Sequence, residues 1–270
     1  MAKRDSLPWR SYWITGASSG IGAALARLIA APGRRLYLSG RSAERLTEVA
    51  EDCRAAGAVA ETIAFDMADG NERDRIVRMI RRGELSPDVL INNAGVSQRG
   101  YAAQTATSVD RMLMEVNYLA AVEFTKAVLP AMLAGGRGCI VAVSSVAGLV
   151  PVPLRSGYNA AKASQLAFFG TLANELADSG VCVSLVIPGF VRTAVSLNAL
   201  TEDGSASAAM DPNQANGISP ERAARDIVRG LERRRTRIAT GMTARLRVML
   251  FLSRFAPAML DRILRNVSVR

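Results

Sequence analysis

Runs rich in apolar and β-branched residues recur along the chain. They fall at Ser11 to Thr15, Arg35 to Ser39, Ala58 to Phe65, Asp88 to Asn92, Gly138 to Ser144, Val181 to Ile187 and Thr236 to Thr240, with helical segments between them. Cys139-Ile140-Val141-Ala142-Val143 and the run Val181 to Ile187 lack polar alternation, which predicts strands covered on both faces. The intervening segments are long enough for crossover helices. The pattern therefore predicts an α/β fold: a single doubly wound domain with a mostly parallel sheet and helices on both faces. Ala194 to Ser219 breaks the rhythm, being rich in Ala, Ser, Asn, Asp and Gly with weak periodicity. A loop of that length in a compact domain is usually functional or disordered. Residues 1–242 are expected to form the domain, with 194–219 as a substrate lid, and 243–270 an amphipathic C-terminal helical extension.

Composition narrows the chemistry. With 49% hydrophobic residues among 270, the chain is neither disordered nor fibrous. It has no histidine, so every mechanism that needs imidazole drops out, including Ser-His-Asp triads and H-E-x-x-H zinc sites. Cys53, Cys139 and Cys182 are far apart and odd in number. They predict buried thiols in a reducing compartment rather than a metal cage or disulfide framework, and no metal is expected. Ala2 to Thr15 opens with Lys3, Arg4 and Asp5 and has no apolar core, which predicts neither a secretory signal nor an anchor. The expected address is the cytoplasm.

The net charge of +10 is uneven. Glu221 to Arg270 holds 13 arginines against four acids, while the first 220 residues are nearly neutral. A general nucleic-acid binder would carry a broader basic field, so no nucleic acid is expected. In a helical projection of Ala244 to Val267, Arg247, Arg254, Asp261 and Arg265 fall near one line, and a wide Leu/Phe/Met face fills the rest. This resembles an interfacial helix pair kinked at Pro257, able to touch a membrane peripherally. The same face can instead pack on its own domain or on a second subunit.

Four motifs carry candidate chemistry. Thr15-Gly16-Ala17-Ser18-Ser19-Gly20-Ile21-Gly22 stands between the first strand and a helix over Ala23 to Ala30. Glycines there allow a tight turn and close approach of backbone to a pyrophosphate at a helix N-terminus, the fingerprint of a Rossmann-type dinucleotide site. The second strand ends in Ser39-Gly40-Arg41, with no acid to hold ribose hydroxyls. The Arg41 guanidinium can pair with a 2′-phosphate, which favours NADP over NAD. Asp66, ending the third strand, can accept from an adenine amino group or cap a turn. Tyr158 and Lys162 lie four apart on one helix face, where a neighbouring ammonium favours the phenolate.

With Asn92-Asn93-Ala94-Gly95, Asn117, Ser144-Ser145 and Pro188-Gly189 also in order, the chain resembles the short-chain dehydrogenase/reductases from Arg10 to Arg237. That resemblance implies catalytic roles for Asn117, Ser145 (thirteen before the Tyr, rather than Ser144), Tyr158 and Lys162. Tyr158 would be the general acid/base, Ser145 would stabilise alkoxide charge, Lys162 would hold the nicotinamide ribose, and Asn117 would support a water chain. It implies cofactor contacts from Gly16, Ser18, Ser19, Gly20, Ile21 and Gly22. Further contacts are implied from Arg41, Asp66 and Met67, from Asn93, Ala94 and Gly95, and from Tyr158 and Lys162. The Pro188-Gly189 turn, with Val191 and Thr193, would line the nicotinamide.

The stretch Val195 to Ser205 and the Arg-rich end are similar to a membrane-associated branch, the dehydrogenase/reductase member 7B-like and steroid-dehydrogenase-like proteins. The implied activity is NADP(H)-dependent interconversion of a ketone or aldehyde with an alcohol on a hydrophobic or lipid-like substrate, by an enzyme expected to be a homo-oligomer. A catalytically silent nucleotide-binding module, docking on anionic membranes or partners through the tail, is the alternative.

Overall fold

The seven expected strands form β1 (Ser11–Thr15), β2 (Arg35–Gly40), β3 (Val59–Ala64), β4 (Val89–Asn92), β5 (Gly138–Val143), β6 (Val181–Pro188) and β7 (Arg237–Thr240). In this computed structural model they make one sheet in the order β3-β2-β1-β4-β5-β6-β7, and every pairing is parallel. The structure describes residues 7–265; Lys3, Arg4, Asp5 and the last part of the extension, 266–270, lie outside the described residues. The connecting helices are α1 (Gly20–Ile29), α2 (Ala43–Ala55), α3 (Gly70–Arg81), α4 (Thr107–Met114), α5 (Ala120–Ala134) and α6 (Ser156–Glu175). Then come α7 (Pro212–Ala215), α8 (Pro220–Glu232), α9 (Ala244–Phe255) and α10 (Pro257–Arg265).

Successive strand residues serve opposite faces, as the period of two requires. Ile14, Ile91 and Val141 pack with Leu25 of α1, Leu46 of α2 and Ile227 of α8. Their neighbours Trp13, Leu90 and Ile140 pack on the other side with Ile76 of α3, Phe124 of α5 and Phe169 of α6. Both faces being covered, β4 and β5 are buried at every position, whereas the edge strand β7 alternates and the edge strand β3 is exposed at four of its six positions. Trp13 is the largest fully buried side chain. Its ring lies 4.9 Å from that of Phe124, and its indole N–H donates to Ser39 Oγ at 2.9 Å.

Two expectations change. Cys139 and Cys182 are register partners on β5 and β6, their Cα atoms 4.5 Å apart, and form a disulfide; only Cys53 is a free buried thiol. Separation along the sequence hid a neighbour relation that the β5-α6-β6 crossover creates. The C-terminal extension is the expected helix pair kinked at Pro257, but the line drawn through Arg247, Arg254, Asp261 and Arg265 does not run on across the kink. It breaks at Ala256, the residue before Pro257, whose φ of −145° and ψ of 61° end α9. The ring of Pro257 disfavours a helical residue before it, so a single projection through Val267 misassigns faces. Among the described residues no group of three or more Cys, Asp or Glu side chains could hold a metal.

The β1–β4 register is fixed at its start by Asp88, which accepts from the Arg10 and Ser11 amides at 2.9 Å each, while its own amide donates to Ser11 Oγ at 2.8 Å. Burial raises the Asp88 pKa, but the amide donors outweigh it and hold the carboxyl below its ordinary value. The folded pKa is depressed, so this stabilisation is present above the unfolded value of about 4 and is lost as pH falls through the folded one. Asp88→Ala should cost about 1–3 kcal/mol near neutral pH. Urea unfolding should show the difference between the two proteins shrinking below about pH 4.

Candidate active site

The chain runs outward from β1 to β3, then returns to β4 on the other side of β1, so the loops after β1 and β4 diverge at the C-terminal edge of the sheet. Ligands of doubly wound sheets bind in that crevice. Here Thr15 Oγ1 accepts from the amides of Asn93 (3.0 Å) and Ala94 (3.1 Å), and Asn93 Nδ2 donates to the carbonyls of Thr15 (3.0 Å) and Gly16 (3.2 Å). These bonds clamp the glycine turn to the end of β4. Gly16 has φ +66°, and a Cβ on Gly22 would sit 2.3 Å from the Gly16 carbonyl oxygen, so neither position admits a side chain without displacing the turn.

One cavity of about 640 Å³ opens at this edge. Every residue singled out in the sequence lines it except Gly22, which acts behind the turn. At one end lie Ser18, Gly20 and Arg41 with the start of α1. Ser19 places no side-chain cap on that helix, and its N-terminus faces the cavity. Arg41 is exposed on the cavity wall and stands directly after Gly40. Asp66 lines the cavity and also caps the turn, its Oδ1 accepting from Ala68 N at 2.9 Å.

At the other end are Ser145, Tyr158, Lys162 and Asn117. Ser144 turns away, its hydroxyl donating to the Lys162 carbonyl at 2.9 Å. Ser145 Oγ accepts from Ala147 N at 3.1 Å and lies near enough to the Tyr158 phenol to favour its ionised form. Burial raises the Tyr158 pKa; the Ser145 hydroxyl and the Arg155 charge oppose this. Lys162 Nζ lies 5.9 Å from the Tyr158 ring centroid and donates to the Val143 carbonyl (3.0 Å) and Gln165 Oε1 (3.2 Å). Burial pushes its amine down to about 7. Arg155 therefore acts on the phenol in addition to Lys162, which shares the helix face expected from spacing and stands over the Tyr158 ring.

Asn117 sits in a π-helical turn, Glu115–Leu119, that joins α4 to α5. Such turns are often found at functional sites. Buried Arg73 of α3 holds it in place by pairing with Glu115 and with Glu123 (2.8 Å) while donating to the Met67 carbonyl (2.7 Å). Both Asn117 amide hydrogens are engaged, donating to the carbonyls of Val96 (2.9 Å) and Leu113 (3.0 Å), and Oδ1 accepts from Val96 N (3.2 Å). The side chain thereby braces the loop after β4.

Sequence reasoning missed two contributors. Fully buried Gln98 accepts with Oε1 from the amides of Gly157 (2.8 Å) and Tyr158 (3.2 Å), capping α6 where Arg155, its N-cap residue, supplies no side-chain cap. A Gln in an unremarkable loop gives no sequence signal for that. The segment 194–219 is also knitted down. Leu200 exchanges backbone bonds with Ser97 (2.9 Å) and Arg99 (2.8 Å), and Asp211 pairs with Arg155 at 2.7 Å.

The segment lines the cavity through Val195, Asn198 and Asp211, opposite Val150 and Phe190. The C-terminal helices complete that wall with Leu246, Met249 and Leu264.

A doubly wound sheet with a glycine turn at its switch point and a Ser-Tyr-Lys cluster beside it defines a nucleotide-dependent oxidoreductase. A short chain dehydrogenase family model matches residues 11–203. The chain belongs to the short-chain dehydrogenase/reductase family. It is 38% identical over 244 residues to dehydrogenase/reductase SDR family member 7B of Xenopus laevis, covering 88% of this chain and 76% of that protein, which agrees with the branch expected from the sequence. Among solved structures, a short-chain dehydrogenase from Sphingobium yanoikuyae in complex with NADPH superposes with a TM-score of 0.77 at 26% identity, over 96% of this chain and 97% of that one. A short-chain dehydrogenase/reductase from Burkholderia phymatum in complex with NAD reaches 0.79 at 24% identity, over 97% of each, a likeness of fold.

Gln98→Leu should leave two α6 amides without a partner, lowering stability by about 1–3 kcal/mol. If the cap positions Tyr158, turnover should fall more than dinucleotide affinity does. Equal losses in both would mark Gln98 as a general packing residue.

Proposed function

We propose that this protein is an NADP(H)-dependent reductase and dehydrogenase that interconverts a ketone or aldehyde with an alcohol on a hydrophobic or lipid-like substrate. The observation that carries the reading is the convergence of Ser145, Tyr158 and Lys162 on one end of a cavity whose other end is the uncapped N-terminus of α1. That terminus, its glycines and Arg41 fit a dinucleotide: unpaired amides and a positive dipole end suit a pyrophosphate. The Sphingobium relative, similar enough to speak beyond the fold, carries NADPH, which supports the choice. The complete set of Asn117, Ser145, Tyr158 and Lys162 disfavours a silent module.

A bound nicotinamide dinucleotide supplies the hydride that adds to the carbonyl carbon. Tyr158 Oη gives its proton to the carbonyl oxygen, so the alkoxide never stands free. The Ser145 hydroxyl donates to that same oxygen and stabilises its developing charge. Lys162 Nζ offers a third hydrogen to a ribose hydroxyl beside the two it places on Val143 and Gln165. In the oxidative direction Tyr158 takes the proton back, which requires its phenolate, and Arg155 favours that form. Apolar walls from Val150, Phe190, Leu246 and Met249 support a hydrophobic substrate.

Tyr158→Phe should lower turnover by roughly 10²–10⁴-fold while leaving NADPH affinity nearly unchanged. Full activity in that variant on a panel of aliphatic, steroid and keto-lipid carbonyls would overturn the mechanism. Fluorescence titration should give at least about tenfold tighter binding of NADPH than NADH, about 1.4 kcal/mol, most of which Arg41→Ala should erase. Equal dissociation constants in the unmodified protein would refute the cofactor assignment.

A further inference from the structure

The inner faces of α9 and α10 are occupied. Leu246, Leu252, Leu260 and Leu264 pack with Val146 and Val150 in a third cluster beside the cavity. The outer faces are not. Eleven large hydrophobic side chains are exposed among the described residues, and five of them crowd here: Val248, Phe251, Phe255, Met259 and Ile263. Phe251 and Phe255 are 60% and 69% exposed, their rings 4.9 Å apart. Exposing two adjoining apolar rings to water is unfavourable, so a pair of this kind within an apolar patch marks a contact surface.

The charge beside the patch decides what it contacts. Arg245, Arg247, Arg254, Arg262 and Arg265 are exposed on the same two helices against the lone acid Asp261, and none has a salt-bridge partner among the described residues. Arg247, Phe251, Arg254 and Phe255 follow i, i+4, i+7, i+8 spacing and so form one stripe of alternating cation and ring. A second copy docked about a two-fold axis would bring the same five arginines face to face. An anionic lipid surface satisfies both components, with guanidinium groups at phosphate level and the rings, Val248 and Met259 in the acyl boundary.

We propose that the outer face of α9 and α10 docks the protein on an anionic bilayer. Docking is peripheral, since no helix among the described residues is long and apolar enough to cross a membrane. Arg245, Leu246, Met249 and Leu264 of the same helices line the cavity, so docking places these two helices between the bilayer and the apolar end of the cavity. The inference stands on this surface alone and not on the assignment of the reaction.

The test is sedimentation of the full chain with phosphatidylcholine vesicles, with and without phosphatidylserine, at low and high salt. Binding should be about tenfold stronger or more on phosphatidylserine vesicles and should fall away at high salt. The exposed double variants Phe251→Ser with Phe255→Ser, and Arg254→Gln with Arg262→Gln, should each lose most of it while keeping the unfolding midpoint and NADPH affinity of the parent. Absence of binding at low salt, or equal, salt-insensitive binding to neutral vesicles, overturns the proposal. So does a phenylalanine variant that binds vesicles as the parent does but sediments as a smaller oligomer, which would assign the face to a second copy.

Discussion

The clamp between Thr15 and Asn93 is the constraint on which the site depends. β1 and β4 are hydrogen-bonded neighbours whose following loops diverge, and the sheet alone does not fix how far those loops stand apart. One hydroxyl that receives two amides, and one carboxamide that spans two carbonyls, set that distance. The glycine turn, the start of α1 and the loop that reaches Ser97 and Gln98 are built outward from it. Removing either side chain would leave buried amides or carbonyls unpaired, which costs more than the bonds contribute when made.

At the chemical end, burial acts on two groups in opposite senses. It raises the phenol of Tyr158 and lowers the amine of Lys162 to about 7, in each case disfavouring the charged form. Hydrogen bonds to acceptors hold Lys162 in place over the Tyr158 ring, and Arg155 adds a positive field at the phenol. Arg155 is also paired with Asp211. The charge felt by Tyr158 is therefore tied to the position of the segment over the cavity, a coupling that spacing along a helix could not reveal.

Much of the architecture was legible because it follows from short-range rules. Seven continuous or alternating runs mark seven strands, and a glycine turn between strand and helix has one main use. Tyr158 and Lys162 share a helix face by arithmetic. What escaped depends on three-dimensional neighbours. Cys139 and Cys182 meet only through strand order, and Gln98 caps a helix some sixty positions away. The segment 194–219, irregular in composition, is ordered by backbone bonds that any residue can make. The basic charge of the last fifty residues was read as belonging to the tail. Seven of those arginines in fact belong to α8, the turn after it and β7, and five to α9 and α10.

Gln98 lies between Ser97 and Arg99, whose backbones hold Leu200, and its side chain closes the end of α6. The cover of the cavity and the helix that carries Tyr158 are thereby joined through a single peptide segment. Any fluctuation that drags this segment outward orphans two amides of α6 as well as two backbone bonds to Leu200. At about 1 kcal/mol for each amide, the lower end for an unmade bond, such an open form holds no more than roughly 3% of the molecules. Movements of the cover that leave residues 97–99 in place carry no such cost.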